Sequence, residues 1–247
     1  MKEWKLALSL AKFELTASPL HLLMLYLVNP LLTFLIVVLV ISPQLNDYLQ
    51  INYVGFDLLF SLIFLLAPAW VRPRGFLVQS INQNSELWAA PTLVLQLQWP
   101  ITVKTLIKSR LIIYFFLSFP LQCVFLFAIY VIPAKLQEVI SPSEYIIFCI
   151  IWLAAGVYLG YIMPASDVGD EINVKSVTIA FILLIFGIIA ILTFFHLIIG
   201  YGLIHSTILL AKNYPVISTI SSFVLLIAGL YYWQHYMKKQ IHKLDYF

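Results

Sequence analysis

Charged residues are scarce in this sequence of 247 residues: Asp, Glu, Lys and Arg make up 10% of it, whereas hydrophobic residues make up 62%. Soluble domains carry about 25% charged residues, so these charges are too few to cover a water-soluble globule of this size. The basic residues flank apolar runs instead of clustering on one element, and the net charge is only +3. This pattern excludes a nucleic-acid-binding surface.

The sequence also lacks the motifs of common membrane enzymes and of ATP hydrolysis. It contains no HExxH, no GxSxG and no Walker sequence, which are the patterns of a zinc protease, a serine hydrolase and a phosphate-binding loop. Its two cysteines, Cys123 and Cys149, lie inside apolar runs without metal-ligand spacing. We therefore expect no catalytic residue, no metal and no bound cofactor in this chain.

Long apolar runs are what the sequence has in abundance. A helix needs about 20 apolar residues to cross a bilayer core about 30 Å thick, and in lipid its backbone polar groups must be satisfied within the helix. Six runs fit this requirement, at about residues 20–41, 53–71, 106–132, 145–164, 177–199 and 216–236. The predicted fold is an all-α polytopic membrane protein with six transmembrane helices in a single domain.

The basic residues predict the orientation of these spans. All 14 lysines and arginines except Lys135 and Lys212 fall on the side that also holds both chain ends. Cytoplasmic loops carry the Lys and Arg excess, so we predict a multi-pass plasma-membrane protein with both termini in the cytoplasm. The outer connections are short, and the apolar patch within residues 200–215 is predicted to form a re-entrant or interfacial helix.

Residues 1–18 precede the first span and are predicted to form an amphipathic helix in the cytoplasmic interface. Two faces emerge at helical spacing, one with Lys2, Lys5, Ser9, Lys12 and Thr16 and the other with Trp4, Leu8, Ala11 and Leu15. Such a stripe suits the boundary between headgroups and acyl chains. Ser18 and Pro19 are predicted to break the chain before the first span.

The cytoplasmic segment 72–104 is the longest predicted connection. It has too many Leu, Val and Trp residues for a disordered loop, so one or two short surface helices with an apolar face are expected. Thr102 is predicted to cap the helix that runs into the third span, because threonine accepts from amides two or three residues on.

Few ionisable residues fall inside the predicted spans, where each is costly. Asp57 lies near the outer end of the second span; it either belongs to a translocation path or, as we favour, reaches outward to the interface. His196 is expected to be hydrogen-bonded within the bundle. Asp167, Asp170 and Glu171 form an acidic loop that we interpret as a solvated turn or as a surface for a basic partner.

Together these features resemble the permease subunits of type-2 ABC exporters. The shared features are the chain length, six spans with both ends inside, the amino-terminal amphipathic helix and the long segment between the second and third spans. Residues 95–110, LQLQWPITVKTLIKSR, are similar to the family's L-P-I-S-R-K-T-I-V stretch. Here Thr102 replaces the usual serine, Val103 replaces a common basic residue, and Lys104-Thr105 stand as in the family.

The resemblance implies a coupling helix in segment 72–104 that docks on a separate ABC ATPase subunit, which binds the ATP. It also implies a second permease copy, identical or paralogous, and a translocation path between the two copies in the lipid bilayer. The residues expected at the ATPase interface are Ser85, Glu86, Leu87, Trp88, Leu95, Gln96, Pro100, Thr102 and Lys104.

Three other functions stay open at this point. The chain could be the membrane-embedded substrate-binding subunit of an energy-coupled importer, a membrane enzyme without a recognised motif, or an accessory or immunity protein. The segment from Asn84 to Leu97 separates them, because only the exporter requires it to bind an ATPase.

Overall fold

The protein is described by a computed structural model that covers residues 2–17, 20–49, 53–66, 78–80, 87–171 and 174–244. The described part is mostly helical. Its helices are α1 (Lys2–Ala17), α2 (Leu20–Ile36), α3 (Ser42–Tyr48), α4 (Val54–Leu66), α5 (Pro91–Leu97), α6 (Val103–Val131), α7 (Ala134–Val139), α8 (Pro142–Gly160), α9 (Ile162–Ser166), α10 (Val174–Phe194), α11 (Leu203–Asn213) and α12 (Pro215–Lys243). Its strands are β1 (Gln79–Ser80), β2 (Leu87–Ala89) and β3 (Asp170–Glu171).

Four helical segments in the described residues are long and apolar enough to cross a membrane, namely Val28–Leu45, Val103–Val131, Pro142–Ser166 and Pro215–Lys243. A fifth candidate is the bent pair Ile185–Ile199 and Leu203–Asn213, whose axes differ by 56°. The chain is therefore a membrane-embedded helical protein. The second predicted span is described only over Val54–Leu66, which is shorter than a full crossing; the predicted break at Ser18-Pro19 lies outside the described residues.

Several predicted boundaries are wrong by a few residues. The first span was expected to end at residue 41, but a π-helical turn at Val37–Ile41 leads directly into α3. No glycine interrupts the chain there, and a proline in the first turn of α3 is compatible with a helix. α8 begins at Pro142, three residues before the predicted start, because Ser141 and Glu144 form a reciprocal capping box.

The fold is mostly helical, as predicted, but it also contains a small sheet with the order β1–β2–β3 that the sequence did not predict. Both pairs are antiparallel, and Trp88 lies opposite Ser80 and Asp170. The sheet joins the segment after α4 to the loop after α9. Residues 87–89 were predicted to be helical, but alternate side chains of β2 are buried and exposed, which is the period of a strand.

An aromatic core holds one half of the bundle together. Phe56, Phe60 and Phe64 lie on one face of α4, at the i, i+4 spacing that aligns side chains along a helix. Phe60 contacts the Trp152 ring edge-on at a centroid distance of 4.7 Å, a favoured arrangement for aromatic pairs. In the other half, α12 packs along α8, and α1 packs along α6.

Candidate functional site

The candidate site is the surface formed by residues 87–102, here named the platform. It consists of β2, α5 and the turn that leads into α6. The amide of Ala90 donates to the carbonyl of Asp167 (2.9 Å) where β2 ends, and Pro91 then begins α5 in the first-turn position that suits proline. Ala90 and Leu93 are buried against α6 and α9, so one face of the platform is fixed to the bundle.

The opposite face of the platform is apolar and exposed. Trp88 is 40% exposed and Leu95 is 54% exposed, and Trp99 is also exposed beside them in sequence. Large aromatic and aliphatic side chains held on a rigid base are the usual anchors of a protein interface. This arrangement can receive a partner without rearranging the chain beneath it.

A buried polar network fixes α5 from below. Glu14 of α1 forms an ion pair with Arg110 of α6, with 3.1 Å between Oε2 and Nη1, and Gln96 of α5 donates from Nε2 to Glu14 Oε1. Arg110 Nη2 donates to Gln96 Oε1 at 2.9 Å and to Thr92 Oγ1 at 3.1 Å. We name Glu14, Thr92, Gln96 and Arg110 the inner network, and it joins three helices around one guanidinium.

The two charged side chains of the inner network are buried. Arg110 is 1% exposed and Glu14 is 6% exposed, and a charge held away from water is tolerated only when it is paired and hydrogen-bonded. The planar guanidinium donates its N–H groups in fixed directions, so it constrains the orientation of its partners as well as their distance. The network therefore sets the position of α1 and α5 relative to α6.

The predicted interface residues divide into three groups. Trp88, Leu95, Pro100, Thr102 and Lys104 are exposed. Leu87 and Gln96 are buried, so the expectation that they face a partner is wrong: Leu87 packs with Ala89 and Leu244, and Gln96 belongs to the inner network. Ser85 and Glu86 lie outside the described residues.

Thr102 performs the predicted capping. Its Oγ1 accepts from the amide of Thr105 (3.3 Å) at the start of α6, and the amides of a first helical turn otherwise have no partner within the helix. The cap therefore fixes where the platform ends and α6 begins.

The helix α1 has the predicted extent, but its buried face differs from the prediction. Ala7, Leu10, Ala11 and Glu14 are buried, whereas Trp4 and Leu8 of the predicted apolar stripe are exposed. The physical reason is the set of ion pairs with α6, which turns the small residues of α1 toward the bundle. Small residues allow the two backbones to approach closely.

A second ion pair holds the beginning of α1. Glu3 Oε2 lies 3.0 Å from Lys108 Nζ and 3.9 Å from Lys104 Nζ. The hydrogen bond and the charge of Lys108 lower the pKa of Glu3 below its ordinary value. Glu3 therefore carries its negative charge throughout the neutral range, and the pair weakens only as the pH falls through that lowered pKa.

The acidic loop is only partly solvated, because Asp167 is buried whereas Asp170 is exposed. Asp167 is buried, its carbonyl accepts from Ala90, and Asp170 belongs to β3. Gln240 of α12 donates from Nε2 to Asp170 Oδ1 at 2.9 Å. The loop thus ties the platform to the carboxyl-terminal half of α12.

A second polar cluster, named the Asp57 centre, lies where α4 meets α11. Asp57 is fully buried and accepts from Tyr48 Oη (2.8 Å), from the amide of Leu203 (2.8 Å) and from the amide of Ile204 (2.9 Å). His196 Nε2 lies 2.9 Å from Asp57 Oδ2. The expectation that Asp57 reaches outward is wrong, and the expectation that His196 is hydrogen-bonded within the bundle is confirmed.

The Asp57 centre follows from the local sequence. α10 continues into a π-helical turn and ends at Gly200, which has a φ of +80°, a conformation that glycine adopts at little cost. α11 then begins after Gly202, which has no side chain to cap it, and the carboxylate of Asp57 takes the place of a cap. Any Cβ on Gly202 would lie 2.0 Å from Tyr48 Oη, so the close approach requires glycine.

Sequence reasoning missed Glu14 and Arg110. Arg110 was interpreted only as a basic residue near a span end. The available signal was spacing: Glu3, Ala7, Leu10 and Glu14 repeat at three and four residues along α1, which places two carboxylates on a face of small and apolar residues. A carboxylate on such a face requires a cation from another helix.

Comparison with protein-family models, with curated proteins and with solved structures gives no significant match.

Proposed function

We propose that this chain is the permease subunit of an ATP-driven exporter of the type-2 ABC class. In this proposal the chain has six spans, both termini lie in the cytoplasm of a plasma-membrane protein, and ATP is bound and hydrolysed by a separate ATPase subunit. The observation that carries the proposal is the platform: exposed Trp88 and Leu95 stand on a base that is tied to three other parts of the chain.

The platform has the two properties that a coupling element needs. Its exposed apolar face offers anchors for a groove on a partner, as in other cases where a short helix docks into a groove. Its buried face is connected to α1 and α6 through the inner network and to α12 through Gln240 and Asp170. A displacement of the platform is therefore passed to the long helices α6 and α12.

The contacts at this end of the molecule support the proposed topology. α1 contacts the start of α6 through Glu3 and Lys108, and Leu244, after α12, packs on Leu87 and Ala89 of β2. The amino-terminal helix and the end of the last helix therefore lie beside the same platform. Both termini on the basic side require an even number of spans, and six is the even number that the apolar runs support.

The second copy of the chain belongs to the exporter proposal, and we propose α10 as the helix that contacts it. Within the described residues its main neighbours are α4 and the π-helical turn that follows it, and it exposes large apolar side chains such as Ile182, Leu183 and Phe186. In a dimer such a helix packs against the other copy, and the translocation path lies between the two copies. Asp57, the acidic residue considered for that path from the sequence, is fully buried within this chain and caps α11, so we do not place it beside the path.

The proposal is tested by purifying the chain from its native membrane in a gentle detergent and identifying what accompanies it by mass spectrometry. We expect an ATP-binding subunit in equal amount, which is lost in the variants Trp88→Ala and Leu95→Asp. The matched control is Leu210→Asp, because Leu210 on α11 is 45% exposed but lies away from the platform. This control is expected to retain the ATPase subunit.

The contrary outcomes point to the other functions. A chain that purifies alone, under conditions where other ABC complexes stay intact, would refute the exporter proposal and favour a membrane enzyme or an accessory protein. If both platform variants retain the ATPase subunit, the chain has an ABC partner, but that partner contacts a surface other than the platform.

A further inference from the structure

A groove runs between α1, α6 and α12 on the surface of the bundle, next to the platform. Its volume is about 130 Å³, and its lining includes Trp4, Lys108, Leu111, Phe115, Tyr161 and Leu230. The polar lining residues are Lys108 and Gln234, and the others are aliphatic or aromatic. The groove is therefore mainly apolar and carries one basic side chain, that of Lys108.

The end of the groove at Lys108 carries an excess of positive charge. Two ammonium groups, those of Lys104 and Lys108, share the one carboxylate of Glu3 at 3.9 Å and 3.0 Å. The Lys108 ammonium also lies 4.8 Å from the centre of the Trp4 ring, a position that favours a cation. The side chain of Lys104 is 68% exposed, so its charge is accessible from outside the chain.

The groove lining on α6 runs from Lys108 to Phe116, and Lys104 lies one helical turn before it; together they span about one leaflet of a bilayer. Lys104, Lys108, Leu111 and Phe115 follow each other at intervals of three or four residues on α6, so they share one face of the helix. At 1.5 Å per residue, the step from Lys104 to Phe115 spans about 16 Å. This is about half of a hydrocarbon core about 30 Å thick.

We propose that this groove binds an anionic phospholipid. The phosphate lies between Lys104 and Lys108, and an acyl chain follows Leu111 and Phe115 beside Trp4 and Leu230. Charge complementarity selects the headgroup, and the apolar lining selects a lipid over a soluble phosphate. Tryptophan suits this depth, because its ring prefers the boundary between headgroups and acyl chains. The site does not depend on the proposed exporter function, since it requires only a membrane around α1 and α6.

The test uses the purified full-length chain in a neutral detergent. Phosphatidylglycerol or phosphatidylcholine with brominated acyl chains is added, and the quenching of Trp4 fluorescence is obtained as the difference between the chain and its Trp4→Phe variant. We expect phosphatidylglycerol to quench Trp4 at lower concentration than phosphatidylcholine. Equal quenching by the two lipids would overturn the proposal, because it would reduce the groove to an unspecific apolar contact.

Substitutions of the lysines and of Glu3 are expected to change the affinity for phosphatidylglycerol in opposite directions. Lys104→Gln and Lys108→Gln are each expected to weaken phosphatidylglycerol binding about fivefold, since a basic residue near the surface contributes about 1 kcal/mol toward anionic lipid. Glu3→Gln is expected to strengthen binding, because it removes the competing carboxylate. Lys239→Gln, which removes an exposed lysine of α12 outside the groove, is the control and is expected to change nothing.

The Glu3 variant separates a lipid site from a purely structural role. If Lys108 served only to dock α1, Glu3→Gln and Lys108→Gln would break the same ion pair and would weaken lipid binding alike. That result would overturn the proposal. Soluble glycerol phosphate is added as a competitor, and displacement of the lipid at equal concentration would also overturn it, because the groove would then recognise phosphate without an acyl chain.

Discussion

Replacement of Glu14 by alanine is expected to release α1 from the bundle. The substitution leaves the guanidinium of Arg110 buried without its carboxylate, and its two neutral acceptors in the inner network, Gln96 and Thr92, do not compensate a full charge. Removal of one partner from a buried ion pair costs about 3–5 kcal/mol. Both side chains are nearly inaccessible, so solvent screening does not reduce this cost as it does for a surface pair.

The expected cost has a measurable consequence for α1. Every 1.4 kcal/mol corresponds to a factor of ten in an equilibrium constant, so a loss of 3–5 kcal/mol raises the fraction of undocked α1 by about two to three and a half powers of ten. Lys5 and Lys12 are exposed in α1, but trypsin cleaves a helix slowly until it opens. When opening is fast relative to cleavage, the cleavage rate follows the population of the open form.

The assay is limited trypsin digestion of the purified chain in neutral detergent, followed by mass spectrometry of the amino-terminal peptides. The control is Glu138→Ala, which removes an exposed carboxylate of α7 and is expected to change stability by no more than about 0.5 kcal/mol. A double-mutant cycle compares Glu14→Leu alone, Arg110→Met alone and the two substitutions combined. Replacement of both charges by apolar groups is expected to restore most of the stability, because it removes the desolvation cost as well as the pair.

Two results would refute this reasoning. One is protection of Lys5 and Lys12 in Glu14→Ala that equals that of the unchanged protein, since the buried guanidinium would then be stable without its carboxylate. The other is strict additivity in the cycle, because residues that form a direct ion pair must show a coupling energy.

Three further predictions concern other parts of the structure. Gly169→Ala is expected to destabilise the sheet, because Gly169 has a φ of +86° and the added Cβ would lie 2.1 Å from a backbone carbonyl of β2. The midpoint temperature of thermal unfolding in detergent is expected to decrease. Gly202→Ala is expected to disrupt the Asp57 centre by a close contact of 2.5 Å with its carboxylate, whereas Gly187→Ala, with nothing within 4 Å, should be tolerated; comparable unfolding temperatures would contradict this geometry. Thr102→Val is expected to cost about 1 kcal/mol through loss of the helix cap, measured by the same unfolding curves, and no change would show that the cap is dispensable.

The sequence predicts most long helices because the relevant physics is local. Twenty apolar residues between polar flanks specify a membrane helix almost independently of their neighbours. Both ends of α6 lie close to the predicted span of 106–132, whereas α12 begins near the predicted residue 216 but continues to Lys243, beyond the predicted end at 236. Thr102 was predicted as a cap for the same reason, since the donor amide lies three residues away. Sequence patterns succeed where the partner of a residue is close in the chain.

The candidate site was predicted less well because its contacts are long-range. Gln96 bonds to Glu14 across 82 positions, and Asp57 contacts the amide of Ile204 across 147 positions. The strand β2 was also missed: its pairing with β3 depends on a loop about 80 residues further on, whereas its local composition suggested a helix. No periodicity within one segment carries that information.

Glu14 and Asp57 have the same structural role at two places in the bundle. Lipid tails are as apolar as the side chains of a membrane helix, so apolar packing alone does not specify which face of a short helix turns inward. A buried carboxylate specifies that face, because it is stable only when particular donors surround it. Glu14 thereby fixes α1 against α6, and Asp57 fixes α11 against α4. Each short helix is held in this way on the helix that it contacts, and at the inner network the same contacts also include α5 of the platform.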